Sequence, residues 1–180
     1  MDALTTGKRE VQMKPVSLDE ALAQIDLVFA KRLAEKRITL RVVKPPDTVL
    51  VWADSRSFQY TVLNNLVSNA VKFSEPGAEI VLTILPQGDK VTISVADRGV
   101  GIPAKVLAGL FDPFKPTSRR GTAGEKGTGF GMPIVKSYID LYKGAINVVS
   151  QTAEDSKDAH GTTITVTLRK APAAKKLKAG

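Results

Sequence analysis

Leu18, Leu22, Ile25, Phe29 and Leu33 recur at helical steps behind Ser17-Leu18-Asp19-Glu20, which has the composition of a capping box. The pattern predicts an amphipathic helix ending near Lys36. Ile38 to Val43 and Val49 to Trp52 are β-branched runs, and Lys44-Pro45-Pro46-Asp47 between them can continue neither a helix nor a central strand. They read as strand, turn, strand. A second helix, capped by Asp54 or Ser55, runs to about Lys72 and stops before Glu75-Pro76-Gly77. Its apolar residues Leu63, Leu66, Val67 and Ala70 gather on one side. Glu79 to Leu85 and Lys90 to Ala96 form a hairpin about Pro86-Gln87-Gly88-Asp89. Pro103 opens a short helix, Ala104 to Leu110, and Gly131 to Tyr142 is a third long helix with Ile134, Ile139 and Leu141 expected in the core. Ala145 to Ser150 and Thr162 to Leu168 are the last strands, separated by the polar loop Gln151 to Gly161. Such an order predicts an α+β fold: a two-layer sandwich with a mixed, mostly antiparallel sheet of five to six strands and three main helices on one face. Residues 1 to 16 show no sustained period and read as a lead-in, so one domain spans roughly residues 15 to 170.

Composition narrows the class. With 180 residues, 43% hydrophobic, the chain can bury a real core, and no apolar run approaches the roughly 20 residues of a membrane span. There is no cysteine, which excludes disulfides and thiolate metal sites, and Met1-Asp2-Ala3 lacks the makings of a signal peptide. A cytoplasmic setting is expected. Five of the charges behind the net +8, Arg169, Lys170, Lys175, Lys176 and Lys178, crowd the last twelve residues. Residues 171–180 therefore read as a disordered basic tail rather than a nucleic-acid surface.

Polar residues on the second helix change the picture further. At about 100° per residue, Asn65, Asn69 and Lys72 share a stripe roughly 60° wide. Asn is a poor helix former, so two of them four apart are either a solvated face or a compensated site: carboxamide oxygens suit magnesium, and a lysine one turn on suits phosphate. Asp97-Arg98-Gly99-Val100-Gly101-Ile102 follows a strand directly; it is either an ordinary turn or a carboxylate placed to accept a purine's exocyclic amine. Gly127-Thr128-Gly129-Phe130-Gly131 enters the third helix, where its amides either serve a turn or cradle phosphate. Met132 rules out the dinucleotide fingerprint, and no G-x-x-x-x-G-K-[ST] occurs. The aperiodic stretch between, with Phe111-Asp112-Pro113-Phe114, Lys115, Arg119, Arg120 and Lys126, is either a solvated basic loop or a lid whose cations offset triphosphate charge. His160, the only histidine, reads as a surface residue.

Taken in order, these stretches resemble the ATP-binding catalytic domain of sensor histidine kinases, within the superfamily shared with DNA gyrase and mismatch-repair ATPases. Asn65 to Ser74 is similar to the asparagine box, Asp97 to Ile102 to the first glycine box, Phe111 to Phe114 to the phenylalanine box, and Gly127 to Gly131 with Ile134-Val135-Lys136 to the second glycine box. Gly161-Thr162-Thr163 before the last strand also matches. The resemblance implies that Asn69, with Asn65 beside it, ligates magnesium and that Lys72 approaches the phosphates of ATP. It further implies that Asp97 binds the adenine amine, that Gly99 and Gly101 shape the base pocket, that Gly129 and Gly131 carry phosphate contacts, and that Phe73, Ile102, Phe111, Lys126, Gly127, Thr128 and Phe130 complete the nucleotide site. Phe73, Phe130 and Pro133 depart from the commoner Tyr, Leu and Ser.

One position chooses within the superfamily. Its ATP-hydrolysing members carry a Glu as general base four residues before the magnesium Asn, where this chain has Asn65, whose amide cannot accept a proton. That substitution implies a kinase with slow hydrolysis, since transfer to a histidine rests on positioning and charge more than on a strong base. The implied partners are a histidine-bearing dimerisation domain of the same or another chain, with residues 1–14 as the linker from it, and a response regulator downstream. Membrane association enters only through a missing upstream region. The same boxes leave two alternatives: a protein-serine kinase of the anti-sigma-factor type, or a non-catalytic nucleotide-sensing module. Residues 115–126 are expected to be mobile until nucleotide orders them.

Overall fold

The computed structural model describes residues 11–115, 117–156 and 159–172. Most of the expected linker, residues 1–10, and of the expected tail, residues 173–180, lies outside them. The lead-in is more structured than its lack of period suggests: Lys14–Ser17 is a strand, β1, and Val11 packs on the core. Ser17 ends β1 and caps α1 (Leu18–Lys36), its hydroxyl accepting the Glu20 N–H at 3.3 Å. Leu18, Leu22, Ile25 and Phe29 are buried as the pattern requires.

After α1 come β2 (Thr39–Val43) and β3 (Leu50–Ala53), which join different sheets. β3 pairs antiparallel with β1 in a two-stranded ribbon, and Val51 also bridges Lys170. Ala171, assigned to the tail by sequence, is buried and donates its N–H to the Leu50 carbonyl at 2.8 Å.

The main sheet comprises β2, β4 (Glu79–Gln87), β5 (Lys90–Asp97), β6 (Ala145–Gln151) and β7 (Gly161–Arg169), in the order β2-β4-β5-β7-β6. The β2–β4 pair is parallel, and β4–β5, β5–β7 and β6–β7 are antiparallel. Pairing of β4 with β5 continues to Gln87 opposite Lys90, so the hairpin turn is the two residues Gly88 and Asp89, narrower than the four expected. Gly88 supplies the positive φ (59°) that this turn uses.

Alternation decides which face is covered. Ile80, Leu82, Ile84, Val91, Ile93, Val95, Ile164, Val166 and Leu168 all point to the helices and are buried, each contributing roughly 1.5–3 kcal/mol. Thr83, Thr92, Ser94, Thr163, Thr165 and Thr167 occupy the other face and stay partly exposed. The helices therefore form one layer on one side, the predicted α+β sandwich.

Asp54 caps the asparagine-bearing helix, accepting the Ser57 N–H at 2.8 Å. It runs as α2 (Ser55–Ser57), a π-helical stretch (Phe58–Leu63) and α3 (Asn64–Phe73). The wider π turn, invisible to a 3.6-residue count, puts one extra residue into the helix upstream of Asn65. Leu66, Val67, Ala70 and Val71 are buried, with Asn65, Ser68 and Asn69 on the other side. A short helix, α4, spans Ala104–Leu107, and α5 spans Gly131–Leu141. α5 buries Met132, Pro133, Val135 and Ile139, with Tyr142 just beyond it. Ile134 and Leu141, expected in the core, are 43% and 56% exposed, because these two residues seven apart share a different face. Among the described residues no helix is long and apolar enough to cross a membrane.

Candidate functional site

The polar side of α3, the C-terminal end of β5, α4, the loop after it, the start of α5 and the start of β7 enclose a cleft of about 250 Å³. It collects most of the sequence-predicted residues: Asn65, Asn69, Lys72, Phe73, Asp97, Gly101, Ile102, Lys126, Gly127, Thr128, Gly129 and Gly131.

One end is built on strands. Asp97 closes β5 opposite Thr162 of β7, and its Oδ1 accepts the N–H groups of Gly99 (2.9 Å) and Thr162 (3.2 Å). Burial pushes the Asp97 carboxyl up to about 6, against the opposing pull of those two N–H groups and of His160. Gly99 lies against α3: a Cβ there would meet the Phe73 carbonyl oxygen at 2.1 Å, and Val100 donates to that same oxygen at 3.1 Å. Gly101 has φ 69°, and a Cβ would come 2.0 Å from the Gln151 carbonyl oxygen. Ser150 ties the turn to β7, accepting the Ile102 N–H at 2.8 Å while its hydroxyl meets that of Thr162 at 2.8 Å. His160, read from sequence as a surface residue, is half-buried, with Nδ1 2.7 Å from the Gly99 carbonyl oxygen. The fold brings the polar loop before β7 over the Asp97 turn, a contact that lies 61 residues apart in sequence.

The other end is built of cations. Lys72 is buried in spite of its charge, donating to the Arg119 carbonyl at 2.5 Å and lying 4.7 Å from the Phe73 ring centroid. Burial lowers its pKa, with Glu125 opposing and Arg119 reinforcing the shift. The Arg119 guanidinium lies 5.2 Å from the same ring and donates to the Gly101 carbonyl at 2.9 Å; burial lowers its pKa also. Gly127 is adjacent: a Cβ there would be 2.2 Å from Lys72 Nζ. Asn65 Nδ2 donates to the Thr61 carbonyl at 2.6 Å, which turns Oδ1 toward Gly131, where a Cβ would sit 2.5 Å from it.

Three predicted residues are not on the wall. Gly99 packs behind it, Phe111 lies against the core, and Phe130 points away with 45% exposure. The wall includes Arg119, one of the lid cations read from sequence, and adds residues that sequence reasoning did not place there: Ser68, Val106, Leu110, Thr117, Ser118, Met132, Thr162 and Ile164. Ser68 was recoverable, being one residue before Asn69 on the polar side. The apolar members look like ordinary core in sequence.

The chemistry follows from the two ends. Asp97 Oδ2 takes neither backbone N–H, so the half-buried carboxyl on the cleft wall keeps that oxygen available to a donor. Lys72, Arg119 and Lys126 supply positive charge beside glycine amides and the N-terminus of α5, a setting for phosphates. Among the described residues no group of three His, Cys, Asp or Glu side chains could hold a metal. The carboxamides of Asn65 and Asn69 on the wall are hard neutral oxygen ligands that fit magnesium held jointly with phosphate oxygens. Gly131 keeps the space beside Asn65 Oδ1 clear.

The family model described as "Histidine kinase-, DNA gyrase B-, and HSP90-like ATPase" matches residues 54–172. An uncharacterized sensor-like histidine kinase of Rhizobium meliloti is 31% identical over 170 residues, 93% of this chain and 31% of that protein. The circadian input-output histidine kinase CikA of Synechococcus elongatus is 32% identical over 160 residues, 87% of this chain and 21% of that protein. The chain thus spans less than a third of these curated relatives. Among solved structures, the mycobacterial sensor histidine kinase MprB superposes with a TM-score of 0.72 at 26% identity, over 90% of this chain and 100% of that one. Full-length ShkA in complex with AMPPNP gives 0.72 at 26% identity, over 91% of this chain and 32% of that one.

Proposed function

This chain belongs to the histidine kinase-, DNA gyrase B- and HSP90-like ATPase family, as an ATP-binding domain of the histidine-kinase type, and from that premise we propose that its cleft holds magnesium-ATP and presents the terminal phosphate to a histidine on a separate dimerisation domain. The observation that carries this reading is the division of the cleft into a half-buried carboxylate end and a cationic end joined by Phe73. The ShkA structure contains an ATP analogue and supports the same occupant here.

In this reading Asp97 Oδ2 accepts the adenine amine while Oδ1 stays with Gly99 and Thr162. Phe73 offers an aromatic face to the nucleotide, and Lys72, Arg119 and Lys126 exchange carbonyl or solvent partners for phosphate oxygens. Asn69, with Asn65 beside it, would hold magnesium, whose charge when bound offsets that of the phosphates. Asn65 cannot remove a proton from water, so the cleft favours transfer over hydrolysis. Phosphate on the acceptor histidine then passes to a response regulator.

The only histidine in the chain, His160, is held against the Gly99 carbonyl, so the chain as given should bind ATP without labelling itself. Radiolabelled ATP with a matching dimerisation domain in trans tests this. The expected product is an acid-labile, alkali-stable phosphohistidine on that domain. Fast phosphate release without acceptor would indicate an ATPase, label on a partner serine a protein-serine kinase, and binding without transfer a nucleotide-sensing module.

A further inference from the structure

The loop over the cationic end is fastened at its middle, at a point no motif marks. Gly121–Glu125 forms a compact turn: the Gly121 N–H donates to the Glu125 carbonyl at 2.9 Å and the Ala123 N–H to Glu125 Oε2 at 2.9 Å. Thr122 attaches this turn to the C-terminus of α3, its N–H donating to the Lys72 carbonyl (3.0 Å) and its hydroxyl to the Ser74 carbonyl (2.6 Å). Gly121 permits the approach, since a Cβ would stand 2.6 Å from Lys72 Cγ.

Lys36, the last residue of α1, completes the joint. It is 7% exposed, and its Nζ reaches the carbonyls of Val71 (2.8 Å) and Lys72 (3.0 Å) and the Glu125 carboxylate (2.8 Å). A buried ammonium needs such a set, and the carboxylate is its one charged partner among the described residues. Two of the three acceptors are the last turns of the helix that carries Asn65, Asn69 and Lys72. The third belongs to the loop that continues into Lys126 and Gly127.

We propose that Lys36 and Glu125 are positioning residues for the nucleotide: their ion pair fixes Gly121–Glu125 against the end of α3 and so sets where Lys126 and Gly127 stand relative to Lys72. Neither touches the cleft contents; both act through residues that do. The proposal rests on the nucleotide reading above. It gives the loop a fixed centre at Gly121–Glu125.

Glu125→Ala is the primary test, because its side chain lies at the surface end of the pair, and Lys36→Met the second. In protein without nucleotide, amide exchange at Thr122 and Gly124 should quicken about tenfold in Glu125→Ala while β4 and β5 amides keep their protection, local opening being separable from global unfolding. A fluorescent ATP analogue should dissociate about fivefold faster, with little change in association. Lys36→Met with Glu125→Ala should cost little more than either alone. Unchanged loop exchange and release in Glu125→Ala would overturn the proposal, as would exchange raised equally in the strands or fully additive effects. If the unaltered protein bound no analogue, the nucleotide reading would fail, while the exchange comparison would still judge the joint by itself.

Discussion

At the Asp97 end of the cleft, side chains and backbone are fixed by partners that a ligand need not displace; at the Lys72 end, the cations hold partners that a phosphate would replace. Asp97 Oδ1 takes two backbone N–H groups from the sheet and its turn, and Ser150 clamps Ile102 to β7. Lys72 and Arg119 instead donate to the carbonyls of Arg119 and Gly101, neutral acceptors weaker than a phosphate oxygen. The difference teaches how one cleft combines recognition with turnover. Selectivity is preorganised on strand ends, and charge is placed on exchangeable contacts.

The largest effect that would break this contrast comes from its glycines. Gly101→Ala forces a Cβ into the Gln151 carbonyl at positive φ and should cost about 3 kcal/mol or more. Gly124→Ala, also at positive φ but with nothing within 4 Å, should cost only about 1 kcal/mol. Urea denaturation of the two variants compares the ends directly, and equal losses would contradict the distinction.

Next in size is pH. The Asp97 carboxyl stands at about 6 in the folded chain against an ordinary 3.8, so between these values the folded protein keeps a proton that the unfolded chain has released. Its contribution to stability is therefore present below about 4, is lost as pH rises to about 6, and is flat above. Nucleotide affinity has the opposite slope: it needs the carboxylate, is full above about 6, and should fall up to tenfold per unit below. Asp54 and Glu125, held below the ordinary range, act on stability in the other direction, so the difference between parent and Asp97→Asn isolates the Asp97 part. Identical pH profiles in the two proteins would count against a raised Asp97 carboxyl.

The smallest effect should lie at the cationic end. Arg119→Ala removes a phosphate partner but also the bond to Gly101 that a ligand must displace, so the loss of affinity should be about 1 kcal/mol or less. It should shrink further in high salt. A loss that is larger and independent of salt would show that Arg119 belongs with the preorganised end.

Periodicity made the layers legible. The stripe Leu18, Leu22, Ile25, Phe29 and the alternation in β4 and β5 report directly which side is buried, because each element faces one partner. What periodicity could not show were interactions between distant segments. β1 is four residues long and exists by pairing with β3, and the π turn upstream of Asn65 breaks the count used to find the helix. Ile134 and Leu141 were misplaced because α5 is apolar on more than one face. In the site, the motif glycines and Asn65, Asn69 and Asp97 were readable as residue types with a burden to explain. His160, Ser150 and Lys36 were not, since a lone histidine, a serine on a strand or a lysine at a helix end signals nothing until the fold supplies its partner.

The central claim is that the two ends grip one molecule of magnesium-ATP. Calorimetric titration with a non-hydrolysable ATP analogue, with and without magnesium, tests it most directly. The account predicts magnesium-dependent binding, weakened by at least about 1.5 kcal/mol in both Asp97→Asn and Asn69→Ala, the scale for losing a charged or metal-linked contact. Only Asn69→Ala should remove the magnesium dependence. Affinity unchanged in both variants would contradict the account.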